Sequence, residues 1–380
     1  MINRNNPEGS TVMSGEKKKI LILIPRMGGG GAERVVSIIA NNLCDKYDIC
    51  ITTLVSKESF YELKPQIRLE SACFEINRAS KLTRLVSMGS NFISSISYVK
   101  EFIKGYEPDI VFSLLEEMDI VSYLATKGLK GFKRINSERN DPHGRSTKLQ
   151  MLLERIYRKT DMLVCQSQTV SDYYCRVMRK TVIPNPVDFH KYPEKVAEAA
   201  YPRIVGVGRL REQKNFIMLE KAFAKIADQF PDVTVTVYGE GPDRQLLESE
   251  IKKDHLIGRF NLPGESRDIL NEIKDAAVFA FPTNFEGFPN ALVEAIAMGI
   301  PVVTTDFATG VAKEIVDESV GIVVPVGDVD AFSVGLEELL SNKEKRNRIR
   351  KEASKAVEPF AMEKVIQAWD ELFQTLLEDR

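Results

Sequence analysis

Two glutamates, Glu286 and Glu294, stand eight positions apart in the segment NFEGFPNALVEAIAMG, which begins at Asn284. The pattern predicts that Glu286 lies on a loop after a buried strand and that Glu294 lies about one turn into an apolar helix that begins near Pro289. A carboxylate inside an apolar helix is costly unless hydroxyls or amides contact it. The pattern therefore indicates ligands rich in hydroxyls, a ribose diol at Glu294 and a sugar at Glu286. The alternative for Glu294 is a carboxylate that complements the dipole of its own helix.

A second candidate for chemistry is the basic loop GVGRLREQKN at residues 206–215, which follows a predicted strand. Gly208 lets the backbone approach a ligand, while Arg209 and Lys214 place two cations beside the start of a helix. An arginine can bind two oxygens of a phosphate at once, and a lysine adds a point charge. The loop therefore predicts a pyrophosphate site. In the later segment YGEGPDR, Gly239 and Gly241 leave room for a nucleotide or for a close turn.

Backbone amides supply two further predicted anion sites. The first is the loop and helix start after Glu286, at Gly287, Phe288, Pro289, Asn290 and Ala291. The second is the glycine run of IPRMGGGGAERVV, which includes Gly29, Gly30 and Gly31. This run does not match a dinucleotide fingerprint, because Glu33 stands where the third glycine belongs and the second strand ends without an acid for a ribose. A purely structural turn is the alternative explanation of the glycines.

The elements that must position these residues alternate between short β-branched runs and helix-length amphipathic stretches from Lys19 onward. Strands are predicted at 20–24, 49–55, 109–114, 162–167 and 181–184, and again at 203–208, 234–239, 278–282 and 301–305. Helices are predicted at 214–229, near 242–253 and around 290–298. The fold class is therefore α/β, with two doubly wound, Rossmann-like domains that face each other across a cleft. In such sheets, ligands bind beyond the carboxyl ends of the strands.

The same pattern predicts the domain boundaries. Residues 1–18 are expected to form a disordered tail, 19–186 a first domain, 187–202 a linker, 203–359 a second domain, and 360–380 a closing helix that crosses back to the first domain. Ile366, Trp369 and Phe373 stand at helical spacing in the closing helix and are predicted to be core residues.

Charge is unevenly distributed along the 380 residues: residues 1–190 carry a net charge of +7 and residues 191–380 carry −9. Ten basic residues face three acids between Lys127 and Lys159. This stretch is either a surface for phosphates or anionic lipid, or a solvated basic helix face. No apolar run reaches the roughly 20 residues of a membrane span. The five cysteines and three histidines form no zinc or disulfide pattern, which favours a reducing cytosol.

Taken together, these segments resemble one known family. EGFPNALVE followed by GIPVV, VGRLREQKN, GEGP, IPNPVD and GGAER occur in the order typical of retaining GT-B glycosyltransferases of family 4, of the bacterial polysaccharide and lipid-linked glycan type. The resemblance runs from Lys19 onward and is most specific in the second half. It implies a hexosyltransferase that moves a sugar, with retention of configuration, from a UDP-hexose or UDP-N-acetylhexosamine to a glycan or a polyprenyl-pyrophosphate-linked glycan.

The resemblance also implies a role for each matching residue. Arg209 and Lys214 neutralise the donor diphosphate, Glu286 orients the donor sugar, and Glu294 binds the ribose. The second domain binds the donor, also through Gly208, Gly239, Gly241 and residues 287–291, and the first domain binds the acceptor, with residues 29–31 and Glu33 on the phosphate and acceptor side. No metal and no cofactor are expected, because the Arg/Lys pair and helix amides replace a cation. No nucleophile for a double displacement is evident, which favours front-face transfer.

The chain departs from the family pattern after one first-domain strand. Many relatives carry a histidine there, whereas this sequence reads RINSERNDPHG. We expect Glu138 and Arg139 to face the cleft. Either these residues or His143 contact the acceptor, or the segment is a plain loop that leads to a helix.

A lipid-linked acceptor would match the basic stretch 127–159, together with further basic residues around an amphipathic segment, which are Arg78, Lys81, Arg84, Lys100 and Lys104. The expected location is the cytoplasm, peripheral on the cytoplasmic face of a bacterial inner membrane. The expected partners are a nucleotide sugar, a glycan or lipid-linked glycan and an anionic membrane surface, with no nucleic acid.

Two other functions remain open at this point. A UDP-sugar 2-epimerase shares this type of fold and would consume its donor without an acceptor. A catalytically silent sugar-nucleotide-binding partner is the second alternative, although the presence of Arg209, Lys214, Glu286 and Glu294 together disfavours it.

Overall fold

The computed structural model describes residues 16–74, 81–193 and 202–379, and it describes the backbone but not the side chains of residues 81–89. The greater part of the expected tail, half of the expected linker, Arg78, and the side chains of Lys81 and Arg84 therefore lie outside the described residues. In the described ranges the chain forms two parallel β-sheets with helices packed on them.

The first sheet has the strand order β3-β2-β1-β4-β5-β6-β7, and neighbouring strands are parallel. Its strands are β1 Lys19–Leu23, β2 Asp48–Thr53, β3 Arg68–Ser71, β4 Ile110–Leu114, β5 Lys133–Ser137, β6 Met162–Cys165 and β7 Lys180–Val182. The helices between them are α1 Gly31–Leu43, α2 Lys81–Tyr106, α3 Glu116–Thr126, α4 Thr147–Tyr157 and α5 Gln168–Tyr173.

Alternate residues of β1 pack on opposite faces of this sheet, as the two-residue period of a strand requires. Ile20 and Ile22 join a core with α1, whereas Leu21 and Leu23 join a separate core with α2 and α3. Because both faces are covered, the central strand is apolar throughout, which is typical of parallel sheets.

The second sheet has the order β10-β9-β8-β11-β12-β13 and is also parallel. Its strands are β8 Arg203–Val207, β9 Thr234–Tyr238, β10 Phe260–Gly264, β11 Val278–Phe281, β12 Val302–Thr305 and β13 Gly321–Val324. Its helices are α6 Phe216–Ile226, α7 Arg244–Lys253, α8 Ile269–Ile273, α9 Asn290–Ala297, α10 Val311–Ile315, α11 Val329–Ser341 and α12 Lys343–Glu352. None of the helices in the described residues combines the length and the apolar content needed to cross a membrane.

The strand order reverses between β1 and β4 in the first sheet and between β8 and β11 in the second. A crevice forms at such a switch point, because the loops after its two strands turn to opposite faces of the sheet. The glycine loop follows β1, Leu115 follows β4, the basic loop follows β8 and Glu286 follows β11. Loops from both switch points meet in a single cleft between the two sheets.

The chain passes between the two lobes twice, at neighbouring positions. The backbone amide of Val187 donates to Phe360, 2.7 Å away, and that of Met362 donates to Val187, 2.9 Å away. After this crossing, the final helix α13 Met362–Glu378 packs on the first sheet, where Trp369 is fully buried and its ring centroid lies 4.8 Å from that of Phe112. The C-terminal helix therefore completes the core of the first lobe.

Candidate active site in the interdomain cleft

A cavity of about 470 Å³ lies where the two lobes face each other. Residues after the strands of both sheets line it. From the first lobe these are Gly29, Gly30, Gly31, Ala32, Glu33, Leu115, Arg139, Asn140, Gln166 and Asn185, and from the second they are Gly208, Arg209, Gln213, Lys214, Glu286, Gly287, Phe288 and Asn290.

Lys214 and Glu286 form the charged centre of this cavity. Lys214 Nζ lies 2.6 Å from Glu286 Oε1, and the hydroxyl of Thr283 donates to the same oxygen at 2.8 Å. Lys214 Nζ also lies 4.5 Å from the centroid of the Phe281 ring, at the end of β11. Both charged side chains are largely buried, with 17% and 8% exposure. An ion pair held this close to a cavity can exchange partners, because an incoming anion can take the ammonium while hydroxyls take the carboxylate.

Arg209 lines the same cavity from the loop after β8 and is exposed. In the described residues, its guanidinium makes no hydrogen bond and no ion pair. Asn215, the N-cap of α6, accepts from the amide of Met218, so the helix that follows Lys214 is capped by its own sequence. Arg209 and Lys214 together place two cations at one end of the cleft, which suits a diphosphate.

Gly208, Gly239 and Gly241 serve close backbone packing beside the cavity. A Cβ at Gly239 would lie 1.9 Å from the carbonyl oxygen of Gly208, and one at Gly241 would lie 2.2 Å from that of Leu210. Gly239 and Gly208 line a smaller adjoining cavity of about 270 Å³ together with Arg209, whereas Gly241 lines neither cavity. Of the two expectations for Gly239 and Gly241, the structure shows close backbone packing at both, and Gly239 also borders the smaller cavity.

The loop before α9 contacts the first lobe directly. A Cβ at Gly287 would lie 2.3 Å from the carbonyl oxygen of Arg139, so only glycine allows this approach. The amide of Asn185 donates to Asn290 Oδ1 at 2.9 Å across the cleft. Gly287, Phe288 and Asn290 line the cavity, whereas Pro289 and Ala291 do not.

Glu294 contacts a cation of the first lobe rather than the cavity. Arg34 of α1 donates to Glu294 Oε1 of α9 at 2.5 Å. Burial alone would lower the pKa of Arg34, but the charge of Glu294 and the hydrogen bond to it outweigh burial and raise that pKa. The carboxylate inside the apolar helix is thus satisfied by an arginine in this structure, a partner that the sequence pattern did not suggest.

The first-lobe glycine loop lies opposite the cations. Gly29, Gly30 and Gly31 line the cavity, and Glu33, which is 7% exposed, folds its carboxylate back toward Gly30. A Cβ at Gly30 would lie 2.3 Å from Glu33 Oε2, and one at Gly31 would lie 2.8 Å from Asn290 Nδ2. These glycines let the loop contact its own helix and the other lobe at once.

Of the residues expected at the departure from the family pattern, only Arg139 lines the cleft. Glu138 is 2% exposed and lies beneath the cleft floor, so the expectation that it faces the cleft differs from the structure. Its carboxylate accepts two hydrogen bonds from Arg145, at 2.6 and 2.5 Å, and one from Tyr174. A fully paired carboxylate is held in place, which accounts for its position.

Arg139 and His143 have different surroundings. Arg139 is buried and donates to Asn185 Oδ1 at 2.8 Å, and burial lowers its pKa to about 10 despite the opposing effects of Cys165 and Glu138. His143 is exposed, bonded to Asp141 at 2.9 Å and packed edge-on against Tyr173, and it does not line the cavity. The structure therefore brings Arg139, but not Glu138 or His143, to the cleft.

Two buried amides in the cleft escaped the sequence reasoning. Gln166 follows β6 and Asn185 follows β7, and Gln166 Nε2 donates to Asn185 Oδ1 at 2.7 Å. Both line the cavity. Their position after the carboxyl ends of adjacent strands was the signal that could have identified them.

Comparison with known proteins agrees with this geometry. Residues 188–356 match the family of Glycosyl transferases group 1. Among curated proteins, the chain is 25% identical over 358 residues to the GalNAc-α-(1→4)-GalNAc-α-(1→3)-diNAcBac-PP-undecaprenol α-1,4-N-acetyl-D-galactosaminyltransferase of Campylobacter jejuni, an alignment that covers 92% of this chain and 97% of that protein.

Solved structures show the same fold at lower identity. The sucrose-phosphate synthase of Thermosynechococcus elongatus superposes with a TM-score of 0.81 at 16% identity, covering 96% of this chain and all of that one. HepE of Anabaena in complex with UDP superposes with a TM-score of 0.77 at 18% identity, covering 94% of this chain and all of that one. The two facing sheets and these neighbours show a GT-B fold, and the match of residues 188–356 and the curated relative make the chain similar to glycosyltransferases.

Proposed function

We propose that this protein transfers a hexose or N-acetylhexosamine from a UDP-sugar to a glycan carried on a polyprenyl pyrophosphate, with retention of anomeric configuration. The observation that carries the proposal is the Lys214–Glu286 pair beside the unpaired Arg209, in a cavity shared by both lobes. The name of the Campylobacter jejuni relative includes an acceptor of this class, and HepE was solved with UDP.

In this proposal the donor lies mostly on the second lobe. Arg209 and Lys214 bind the diphosphate, and the adjoining cavity at Gly208 and Gly239 receives part of the nucleotide. When the diphosphate takes Lys214, Glu286 loses its ion-pair partner and accepts hydrogen bonds from sugar hydroxyls instead. Thr283 keeps the carboxylate oriented during this exchange, because its hydroxyl donates to Oε1 independently of Lys214.

The chemical step follows from the charges in the cleft. The bond between the anomeric carbon and the diphosphate oxygen breaks, and negative charge develops on that oxygen, where the two cations stabilise it. The acceptor hydroxyl attacks from the same face, and its proton passes to the departing phosphate. Because the departing phosphate accepts this proton and the acceptor attacks directly, the front-face reaction needs no carboxylate of the cavity, neither Glu286 nor Glu33, as a nucleophile.

We also propose that the transfer needs no metal ion. A metal in sugar-nucleotide chemistry offsets the charge of the diphosphate and of the leaving nucleotide. Arg209 and Lys214 carry two positive charges at the same end of the cleft. Activity in excess EDTA, at the rate measured without it, is the expected result.

The acceptor is proposed to approach from a membrane surface on the cytoplasmic side. On α4, the exposed face carries Met151 at 50% exposure and Leu152 at 42%, between the exposed cations Lys148 and Arg155. Apolar side chains flanked by cations at this spacing suit the interface of an anionic bilayer. This face belongs to the basic stretch 127–159. Lys100 and Lys104, which were expected to contribute to the same surface, lie on α2 and are not part of this face.

A donor panel tests the proposed function. The purified protein is heated with UDP-, GDP- and ADP-sugars, beside Lys214→Ala, Glu286→Ala and the surface control Lys225→Ala. One UDP-sugar should stabilise the wild type and the control strongly, Lys214→Ala hardly at all, and Glu286→Ala no more than UDP alone does. Stabilisation by no donor, or equal stabilisation of all four proteins, would contradict the donor site. Conversion of the donor to an epimer without an acceptor would instead support a 2-epimerase.

A further inference from the structure

A cluster of three carboxylates lies outside the cleft, between α6 and α7 of the second lobe. Glu220 stands in the middle of α6, Glu250 in the last turn of α7, and Asp254 is the C-cap of α7. One carboxylate oxygen from each lies within 4.8 Å of the others. Three formal negative charges so close together repel strongly unless a counter-charge is bound.

Glu220 is the unusual member of this cluster. It is 0% exposed, and neither of its carboxylate oxygens has a hydrogen-bond donor among the residues that the structure describes. A buried ionised carboxylate without donors is among the most costly arrangements in a protein. One of its oxygens lies within 4.8 Å of an oxygen of each of the two other carboxylates, so the side chain is directed into the cluster.

The cations near the cluster do not compensate it. Lys253 Nζ lies 3.0 Å from Glu250 Oε2, but this lysine is 66% exposed, so water screens its weaker attraction to Asp254 and Glu220. Lys221 is the neighbouring residue of Glu220 on α6 and opposes the effect of burial on it only weakly. The C-terminal end of α7 adds partial negative charge at Glu250 and Asp254, where the helix dipole favours cations.

We propose that Glu220, Glu250 and Asp254 bind one calcium ion between α6 and α7. Carboxylate oxygens are hard ligands, and the cluster contains no thiolate or imidazole that would favour zinc. Calcium accepts the irregular geometry of carboxylates from two helices, whereas magnesium demands a near-ideal octahedron. The ion would join α7 to the helix that follows Lys214. The site lies outside the cleft, so it is separate from the metal-free transfer proposed above.

The alternative to a bound calcium ion is a cluster in which Glu220 carries a proton. Burial, together with the neighbouring Asp254 and Glu250, raises the pKa of Glu220 to about 7, while Lys221 opposes them. A protonated Glu220 could donate to Asp254. At pH 8 this proton is largely lost, so that calcium has no competitor and the two states can be distinguished.

Isothermal titration with CaCl2 at pH 8, without any sugar nucleotide, tests the proposal on chelator-treated protein. The wild type and the exposed-residue control Glu318→Gln should bind one calcium ion per chain. Glu220→Gln and Asp254→Asn should bind at least about tenfold more weakly, because each removes a charged ligand. Saturating calcium should raise the melting temperature of the wild type by at least about 2 °C and leave that of Glu220→Gln unchanged.

Two results would overturn the proposal. One is the absence of saturable binding by the wild type at millimolar calcium. The other is equal affinity in the wild type and Glu220→Gln, which would place any bound ion elsewhere. If calcium fails and the wild type loses more stability between pH 5 and 8 than Glu220→Gln does, the shared proton is the correct account. None of these outcomes depends on whether the cleft binds a UDP-sugar.

Discussion

Lys214 and Glu286 come from different loops, and their chemistry differs although they share one ion pair. In the proposed complex, Lys214 contacts the diphosphate and Glu286 contacts the transferred sugar. The two contributions can therefore be separated by comparing UDP, which lacks the sugar, with the complete UDP-sugar.

We predict that Lys214→Ala weakens the binding of both UDP and the UDP-sugar, because a charge-assisted hydrogen bond contributes about 1.5–3 kcal/mol. Glu286→Gln should leave UDP binding nearly unchanged and lower the transfer rate by about 100-fold or more, by analogy with the loss of one stabilising group at a reacting centre. Calorimetric titration and initial rates measure the two effects. Equal loss of UDP affinity in both variants would contradict this division of roles.

Asp119, a buried residue of α3, leads to a prediction about how stability depends on pH. Burial raises its pKa to about 7, although Asn136, Ser113 and Tyr157 all donate to it and oppose the shift. A carboxyl whose pKa is raised on folding holds an extra proton in the folded state, so stability is greatest at low pH and falls as the pH rises from about 4 to 7.

Asp119→Asn should reduce this loss of stability, which amounts to a few kcal/mol at most. Urea unfolding at pH 5 and pH 8 measures it, with Asp161→Asn, a carboxylate at the start of β6 that is less buried, as the control. An unchanged pH dependence in Asp119→Asn would show that other groups cause the effect.

At the scale of residues, the sequence could suggest which side chains take part in chemistry. It could not show which of them form an ion pair or a hydrogen bond with a distant residue. The spacing of Glu286 and Glu294 predicted two carboxylates for hydroxyl ligands, and only Glu286 lines the cavity. Glu294 pairs with Arg34, which is 260 positions away in the chain. Likewise, Glu138 is held by Arg145 and Tyr174. Such pairings depend on tertiary contacts that no local pattern encodes.

At the scale of elements, α1 and α9 are joined across the cleft by Arg34 and Glu294. If Glu294 binds the donor ribose, as proposed from the family resemblance, the donor must displace Arg34 first. Arg34→Met should then strengthen UDP binding about two- to fivefold, because a competing, partly exposed ion pair contributes about 0.2–1 kcal/mol. Glu294→Gln should weaken it.

Titration of UDP into both variants checks this prediction. Lys46→Met is the control, because Lys46 also forms an ion pair close to α1, with Asp370 of α13. Weakened UDP binding by Arg34→Met would contradict displacement and indicate that Arg34 itself contacts the donor.

Of the thirteen strands in the described residues, the sequence predicted nine and missed β3, β5, β10 and β13. The strands at the topological switch points, β1, β4, β8 and β11, were all predicted because they are buried on both faces and read as apolar runs. The strand β3, with the sequence RLES, and β10, with FNLPG, carry polar or Pro/Gly residues. Edge strands are partly exposed, so their pattern cannot be distinguished from a loop by composition alone.

At the scale of the whole molecule, the predicted fold class of two facing doubly wound domains is confirmed, and so is the resemblance to GT-B glycosyltransferases. Alternation of strands and helices was sufficient for the class. It was not sufficient for the contacts between lobes, such as Gly287 against Arg139 or Asn185 against Asn290. These contacts require the relative placement of two separately folded sheets.

The proposed membrane contact belongs to this scale, since it orients the whole molecule. Sedimentation with vesicles that contain anionic lipid should recover the wild type at low salt, and less of it as salt rises. Lys148→Glu combined with Arg155→Glu on α4 should abolish recovery. The same reversal at the exposed Lys343 and Lys351 of α12, a more basic helix, is the control. Equal loss in both double variants would show only a general charge effect and contradict a site on α4.

The most direct test of the central claim is the anomeric configuration of the product. Transfer from an α-configured UDP-sugar, chosen by the donor panel, to a polyprenyl-pyrophosphate-linked saccharide would be followed by proton NMR with the wild type and Lys214→Ala. The account predicts an α-linked product from the wild type and a rate lower by at least about 100-fold in the variant. A β-linked product would contradict retention, and an unchanged rate in Lys214→Ala would contradict the proposed site of transfer.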